Sequence, residues 1–473
     1  MRSLTLLLAL PAALSAQALS SNDSALVGRI LLTEDRRDTM DRERALADGR
    51  NHADARIRML VQRAVWRMRE ARFESRDSLP PLPPPTAWPD AVWRFRYRAI
   101  ANQRTDCAAI RTALSDMLWP VRLRALAVVD ASCGADDAIV RTLTRWVDSL
   151  PEATSRRAAG SVSWHAAAQA IVALARLRPA EARPRVATLA RHSQWQVRMY
   201  AARAAGRLAD TNQLRALTRD ANANVQEAAI EALSRLVGHL DDSYYLAALS
   251  ARGAPAVRAA AVALKGSTRT DVRVAAEVMF DRWSLRANAS ERDVRVALLE
   301  AAGREARSDR PPPNRYQLPS HAVALALGAD IRLRVTLADS TGGGSFVVKL
   351  RGDVAPMMAA RVLALATEGY YNSGNWHRVE HDFVIQGGGP GSNEYVGYRH
   401  YFRDELGTVP HARGAVGMST RGHDTGDAQW FINLKDNLRL GRDYTVFAEV
   451  VEGIGVVDQI MEGDIVARVE VVP

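Results

Sequence analysis

Apolar residues recur along this chain with two different periods, and the change of period divides it. Within an arginine-rich stretch from about Ala25 to Arg76, Ile57, Leu60, Val61, Ala64, Val65 and Met68 are spaced by three and four, which places them on one face of a helix. Pro80, Pro81, Pro83, Pro84, Pro85 and Pro89 then break helical continuity, because proline has no amide hydrogen to donate and its ring collides with the preceding turn. They predict an extended linker or cap. From Trp93 to about Arg307 one theme returns. Valine followed by a polar residue opens a helix at Val121, Val197, Val225, Val257 and Val294, and alanine or leucine then falls on the same face, as in Val197, Ala201, Ala204, Ala205 and Leu208 or in Val225, Ala229, Leu233 and Leu236. Copies begin roughly 28 to 37 residues apart, the period of a two-helix unit that hides its apolar face only by stacking on the next.

Past Pro311-Pro312-Pro313 the period falls to two. Ile331, Leu333, Val335 and Leu337 alternate with polar neighbours, and Gly342-Gly343-Gly344 leads into Phe346-Val347-Val348-Lys349-Leu350, the pattern of a β-hairpin with a glycine turn. Met357 to Glu368 predicts a helix ended by Gly369.

Two resemblances follow. The helical theme, valine-arginine-x-x-alanine after an aspartate or asparagine turn such as Asp220-Ala221-Asn222, resembles HEAT-type repeats; a generic alanine-rich helical domain is the alternative, and both are all-α. Arg122, Arg198, Arg258 and Arg295 follow the first valine of their helices, and the expectation for such a row is bonding to turn carboxylates of neighbouring repeats. In the C-terminal third, four blocks occur in fixed order: Trp376-His377-Arg378-Val379 with Asp382-Phe383-Val384-Ile385-Gln386-Gly387-Gly388, then Arg413 to Ser419, Asp427 to Ile432, and Tyr444 to Phe447. Together they resemble the cyclophilins, peptidyl-prolyl cis/trans isomerases, over roughly residues 330 to 473. The resemblance implies a mainly-β closed antiparallel barrel. The expected plan is a signal peptide at 1–18, a HEAT-like helical repeat region at 19–310 with a proline-rich break at 80–89, a proline-rich linker at 311–319 and a cyclophilin-like isomerase domain at 320–473.

Composition adds a compartment. A chain of 473 residues with 47% hydrophobic and 25% charged residues is ordinary for a globular protein of about three domains. Arg2, the apolar run Leu4–Leu14 and Ala16-Gln17-Ala18 read as a secretory signal with its cleavage site, the run being too short to span a bilayer; a retained anchor is the rival. The mature protein is then exported, periplasmic or secreted, with no membrane-spanning segment. There Cys107 and Cys133 can bridge, or stay as buried thiols. The net charge of +10 is uneven, since fourteen basic and nineteen acidic residues from Ser320 onward leave +15 for everything before it. Export argues against nucleic acid as the partner of that charge.

The chemistry implied by the resemblance needs no nucleophile, metal or cofactor. Rotation about an X-Pro bond crosses a barrier of about 20 kcal/mol set by amide resonance, and a donor aimed at the proline nitrogen weakens that resonance. On the cyclophilin pattern Arg378 is the donor, and Gln386 bonds the substrate backbone and helps hold Arg378. Phe383, Val384 and Phe431 form the proline pocket, Leu440 closes it, Tyr444 edges it, and Ser419 and Gln429 stand beside it. His377 reads as a buried structural histidine, and His377, His381, His400, His411 and His423 lack a metal-binding spacing. Ser419, Thr420 and Arg439 depart from residues common in the family. The implied partners are proline-containing polypeptides, with the repeat surface binding protein. Two other readings compete with the enzyme: a proline-peptide scaffold without useful turnover, and an envelope chaperone.

Overall fold

The computed structural model describes residues 19–35, 42–69, 88–150, 164–286, 291–305, 320–328, 330–407 and 409–472. The signal segment, Pro80 to Pro85, the 311–319 linker and the side chain of Met68 lie outside the described residues. Among the described residues three helices come first, α1 (Ser21–Asp35), α2 (Arg42–Arg50) and α3 (Ala55–Arg69). A helical series follows: α4 (Trp93–Asn102), α5 (Cys107–Leu114), α6 (Trp119–Val128), α7 (Asp137–Asp148), α8 (Trp164–Leu177), α9 (Pro179–Leu189), α10 (Trp195–Arg207), α11 (Thr211–Leu217), α12 (Ala223–Val237), α13 (Asp242–Ala248), α14 (Ala254–Leu264), α15 (Thr270–Ser284) and α16 (Arg292–Ala301).

The aspartates and asparagines between these helices work as N-caps. Asp106, Asp136, Asp210 and Asn222 each accept a hydrogen bond from an amide of the first helical turn, which that turn cannot satisfy internally. Alternate helices α8, α10, α12, α14 and α16 pack each on the next, over buried Val197, Ala201, Ala205, Val225, Ala229 and Val257. Small residues allow the approach: a side chain at Gly206 would lie 2.9 Å from the Ala232 methyl. Leu236, expected on the apolar stripe, is instead 42% exposed, because it sits in the last turn of α12 on the rim of a cavity rather than beneath α14. Arg198 forks onto the turn carboxylate of Asp220 at 2.7 and 2.8 Å, as expected of that row. Arg122 bonds the Asp116 carbonyl instead, and Arg258 pairs with Glu227 and Glu231 of α12. Cys107 and Cys133 form a disulfide, with Cα atoms 5.4 Å apart, tying α5 to the turn before α7.

The first three helices belong elsewhere. Leu26, Ile30, Ile57, Leu60, Val61 and Ala64 are buried in the same cluster as the strands, through α17 (Ser320–Gly328), which packs on α1 and on α18 (Pro356–Thr367). The stripe of α3 is thus a real apolar face, which packs on α1 and α2 and, through α1, joins the core of the C-terminal body.

That body is built on eight strands: β1 (Arg332–Leu337), β2 (Ser345–Leu350), β3 (Trp376–Val379), β4 (Val384–Gly387), β5 (Ala415–Met418), β6 (Trp430–Asn433), β7 (Val446–Glu452) and β8 (Val466–Val472), with a short α19 (Ile454–Val457) between the last two. They pair antiparallel in the order β3-β4-β6-β5-β7-β2-β1-β8. Leu333, Val335 and Leu337 of β1 point inward, which is the alternation read in the sequence. Gly342, Gly343 and Gly344 all have positive φ, a conformation that side chains with a Cβ rarely adopt, so the β1–β2 turn depends on them.

The sheet curls but does not close, contrary to the expected closed barrel. The edge strands β3 and β8 do not form a ladder; the bridge between Asn375 and Ile465 and a few backbone hydrogen bonds cross the gap.

The helical series and the sheet body share buried charge. Asp458 accepts from Arg94 at 2.7 Å and from both terminal nitrogens of Arg413 at 2.8 Å, and Arg94 also donates to the His381 carbonyl. Arg94 is fully buried, and Asp458 compensates both guanidinium groups, with Asp90 as a second partner of Arg94 at 3.0 Å.

Candidate active site

Strand periodicity sorts the side chains of β4, β5 and β6. Ile385, Ile432 and Val416 form one row across the sheet and face the main core. The neighbouring row, Arg378, Gln386, Phe431 and Gly417, runs across β3, β4, β6 and β5 and faces the other way. Arg378 joins that row because a register shift separates it from Trp376, which lets Trp376 enter the core while Arg378, two residues on, points outward. The Phe431 ring lies across Gly417, where an added Cβ would come within 2.4 Å of it.

On this outer face Val384, Phe431 and Leu440 are buried against one another, with half-buried Phe383 and Tyr444 packed on them. The cluster is separate from the main core. These five are the residues expected to line the pocket. Tyr444 meets Phe431 edge-on, with ring centroids 5.5 Å apart. The Arg378 guanidinium lies 5.9 Å from the centre of the Phe383 ring, and Arg439, beside Leu440, covers the same ring at 4.6 Å.

The polar groups form a relay. Gln386 Nε2 donates to Ser419 Oγ at 3.0 Å and to Gln429 Oε1 at 3.1 Å, and Gln429 Nε2 donates to the carbonyls of Val396 at 2.7 Å and Glu394 at 3.3 Å. Gln386 was expected to hold Arg378, but the described partners of Arg378 are carboxylates: Glu380, bonded from Nε at 2.9 Å, and Glu394, 3.8 Å from Nη1. Strand period two makes Glu380 legible, since it follows Arg378 by two residues; Glu394 sits in an irregular loop with no periodic signal.

Sequence reasoning also missed His411, Asn433 and Asn437. His411 stacks on Phe431 at 5.6 Å, its Nε2 bonds the Tyr444 carbonyl and its Nδ1 meets Asn433 Nδ2, while Asn437 donates to the Phe383 carbonyl. Burial pushes the His411 imidazole down to about 4, so it is a neutral wall of the cluster. His377 is likewise pushed down to about 4 by burial and then by neighbouring Arg378, and its ring nitrogens have no hydrogen-bond partner among the described residues. A neutral structural imidazole fits the expectation for it.

Residues 334–472 match the family described as cyclophilin type peptidyl-prolyl cis-trans isomerase/CLD. Over 133 residues the chain is 37% identical to a peptidyl-prolyl cis-trans isomerase of Helicobacter pylori, covering 27% of this chain and 82% of that protein. The chain belongs to the cyclophilin-type peptidyl-prolyl isomerases. It is also 37% identical over 131 residues to peptidyl-prolyl cis-trans isomerase B of Escherichia coli, covering 25% of this chain and 80% of that one. A human relative, peptidyl-prolyl cis-trans isomerase-like 1, is 35% identical over 125 residues, covering 25% and 75%. The family match begins at residue 334, so α1 to α17 lie outside it. No group of three or more His, Cys, Asp or Glu side chains with metal-holding geometry occurs among the described residues, and no described helix is long and apolar enough to cross a membrane.

Proposed function

We propose that this cyclophilin rotates X-Pro bonds in exported polypeptides, with Arg378 donating toward the proline nitrogen while the ring rests on Val384, Phe431 and Leu440 between Phe383 and Tyr444. The observation that carries the reading is the separate apolar cluster with a guanidinium at its rim: it offers a dry seat for the ring and a fixed fork of donors beside it. Gln386 keeps Oε1 without a hydrogen bond among the described residues, so that oxygen can accept an N–H from the bound backbone. Read as HEAT-like repeats, the helical series recruits or orients the client. The disulfide in that series supports an oxidising compartment.

The test is the isomerisation rate of a short Ala-Pro peptide with the whole mature chain, since α1 to α3 share the core of the C-terminal body. Arg378→Ala is expected to lower kcat/KM by about 100-fold, the loss typical of removing a donor aimed at developing charge. An unchanged rate in the variant removes Arg378 from the mechanism. Peptide binding without acceleration by the wild type moves the chain to the scaffold reading.

A further inference from the structure

The loop of residues 391–396 touches the helical series on one side and the active-site polar groups on the other. Asn224, near the start of α12, donates to the Gly391 carbonyl at 3.1 Å and accepts from Asn393 at 2.8 Å. Arg258 of α14 lies 3.7 Å from the centre of the Tyr395 ring. Glu394 and Tyr395 line a cavity of about 720 Å³ against α10 and α12, while Val396 packs on the core of the helical series. Polar anchors fix the rest of it, including Arg421, which donates to the Glu394 carbonyl.

From this loop two routes reach the site. The Glu394 carboxylate approaches Arg378, while the Glu394 and Val396 carbonyls both accept from the amide nitrogen of Gln429. An amide held by its nitrogen at two carbonyls must present its oxygen on the other side, and there Gln429 Oε1 accepts from Gln386 Nε2. Gln386 is thereby turned with its nitrogen inward and its oxygen toward bound substrate. Without the loop carbonyls either amide could rotate, and Gln386 could present a donor where an acceptor is needed.

We propose that Asn224 and Arg258 of the helical series are positioning residues for proline isomerisation, acting through the 391–396 loop to fix the Gln386 amide and the place of Arg378. The inference rests on the reading that Gln386 and Arg378 act on the substrate.

The experiment uses the whole chain and the Ala-Pro peptide, with selective ¹⁵N-glutamine labelling to follow the Gln386 side-chain amide, assigned by its loss in Gln386→Leu. Asn224→Ala is expected to shift that signal and to lower kcat about tenfold with little change in KM, well inside what an ångström of misplacement costs. In the Gln386→Leu background the same substitution is expected to cost much less, because its target is gone. Tyr200→Phe, which removes a contact to Glu462 elsewhere between the helical series and the sheet body, is expected to leave the signal in place. An unmoved Gln386 signal in Asn224→Ala, or losses that add fully in the double variant, overturns the inference while leaving the site reading intact. Full activity in both Gln386→Leu and Arg378→Ala overturns the site reading and takes this inference with it.

Discussion

The two bodies of this molecule conceal apolar surface by opposite means. The helical series does so with small side chains: Ala201, Ala205 and Ala229 bring helix axes close, and each helix is covered by its neighbour in the chain. The sheet body does so with large ones, Phe346, Trp376, Phe402 and Phe447, gathered from distant segments around one core. Local stacking tolerates variation in any one unit, whereas a shared core fixes all its contributors at once. Chemistry therefore sits on the sheet, where a row across four strands holds Arg378, Gln386 and Phe431 in register. The helices contribute by where they touch it.

Three substitutions test how far the two bodies stand apart. The largest effect is expected at Asp458, the one carboxylate between buried Arg94 and Arg413. Asp458→Ala removes the carboxylate that the two cations share and is expected to cost about 4 kcal/mol in chemical denaturation. If the bodies unfold as one unit a single transition shifts, and two separated transitions would show that they are independent.

Next comes a pH effect confined to the sheet body. The folded value of His411 lies near 4, below the ordinary 6.5, so its contribution is complete above about pH 6.5 and is lost as pH falls toward 4, where the unfolded chain binds a proton that the folded chain refuses. Relative to His411→Asn, the wild type is expected to lose about 3 kcal/mol over that window, read from denaturation midpoints at each pH. Glu227 and Asp404, which burial lifts to about 7 and about 6, act in the opposite sense and cancel in the difference. A constant difference between the two proteins would show that His411 is charged when folded.

The smallest effect belongs to the helices. Arg198→Ala removes a bidentate pair with Asp220 that is mostly buried, and about 1 kcal/mol of stability is expected to go with it, with the peptide isomerisation rate unchanged. A lowered rate would mean that the series transmits strain to the site through its stacking.

The contrast also governs what could be read from residue order. The stripe of Val197, Ala201 and Ala205 predicted a buried helix face because the partner is the next unit. The stripe of Ile57, Leu60, Val61 and Ala64 predicted its own burial equally well, but a pattern records that a face is apolar and not what covers it. The outer-face cluster was legible because all its members but Leu440 stand in contiguous blocks. His411, Asn437 and Glu394 were not, since each acts from irregular backbone where no period marks which way a side chain points. The opening between β3 and β8 concerns pairing between two edges far apart in the chain, which leaves no local signal.

The covering of α1 to α3 has a kinetic consequence. These helices are made early, yet α17, which packs on α1 and joins Leu26 and Ile30 to the core of the strands, begins only at residue 320. As the chain is made, α1 to α3 can pack on one another, but the side of α1 that meets α17 stays uncovered until most of the length has been synthesised, while the helical series between can already stack on itself. The first segment to appear is then the last to be locked, and its docking joins residues nearly 300 positions apart, the kind of contact that slows folding and lengthens exposure to aggregation.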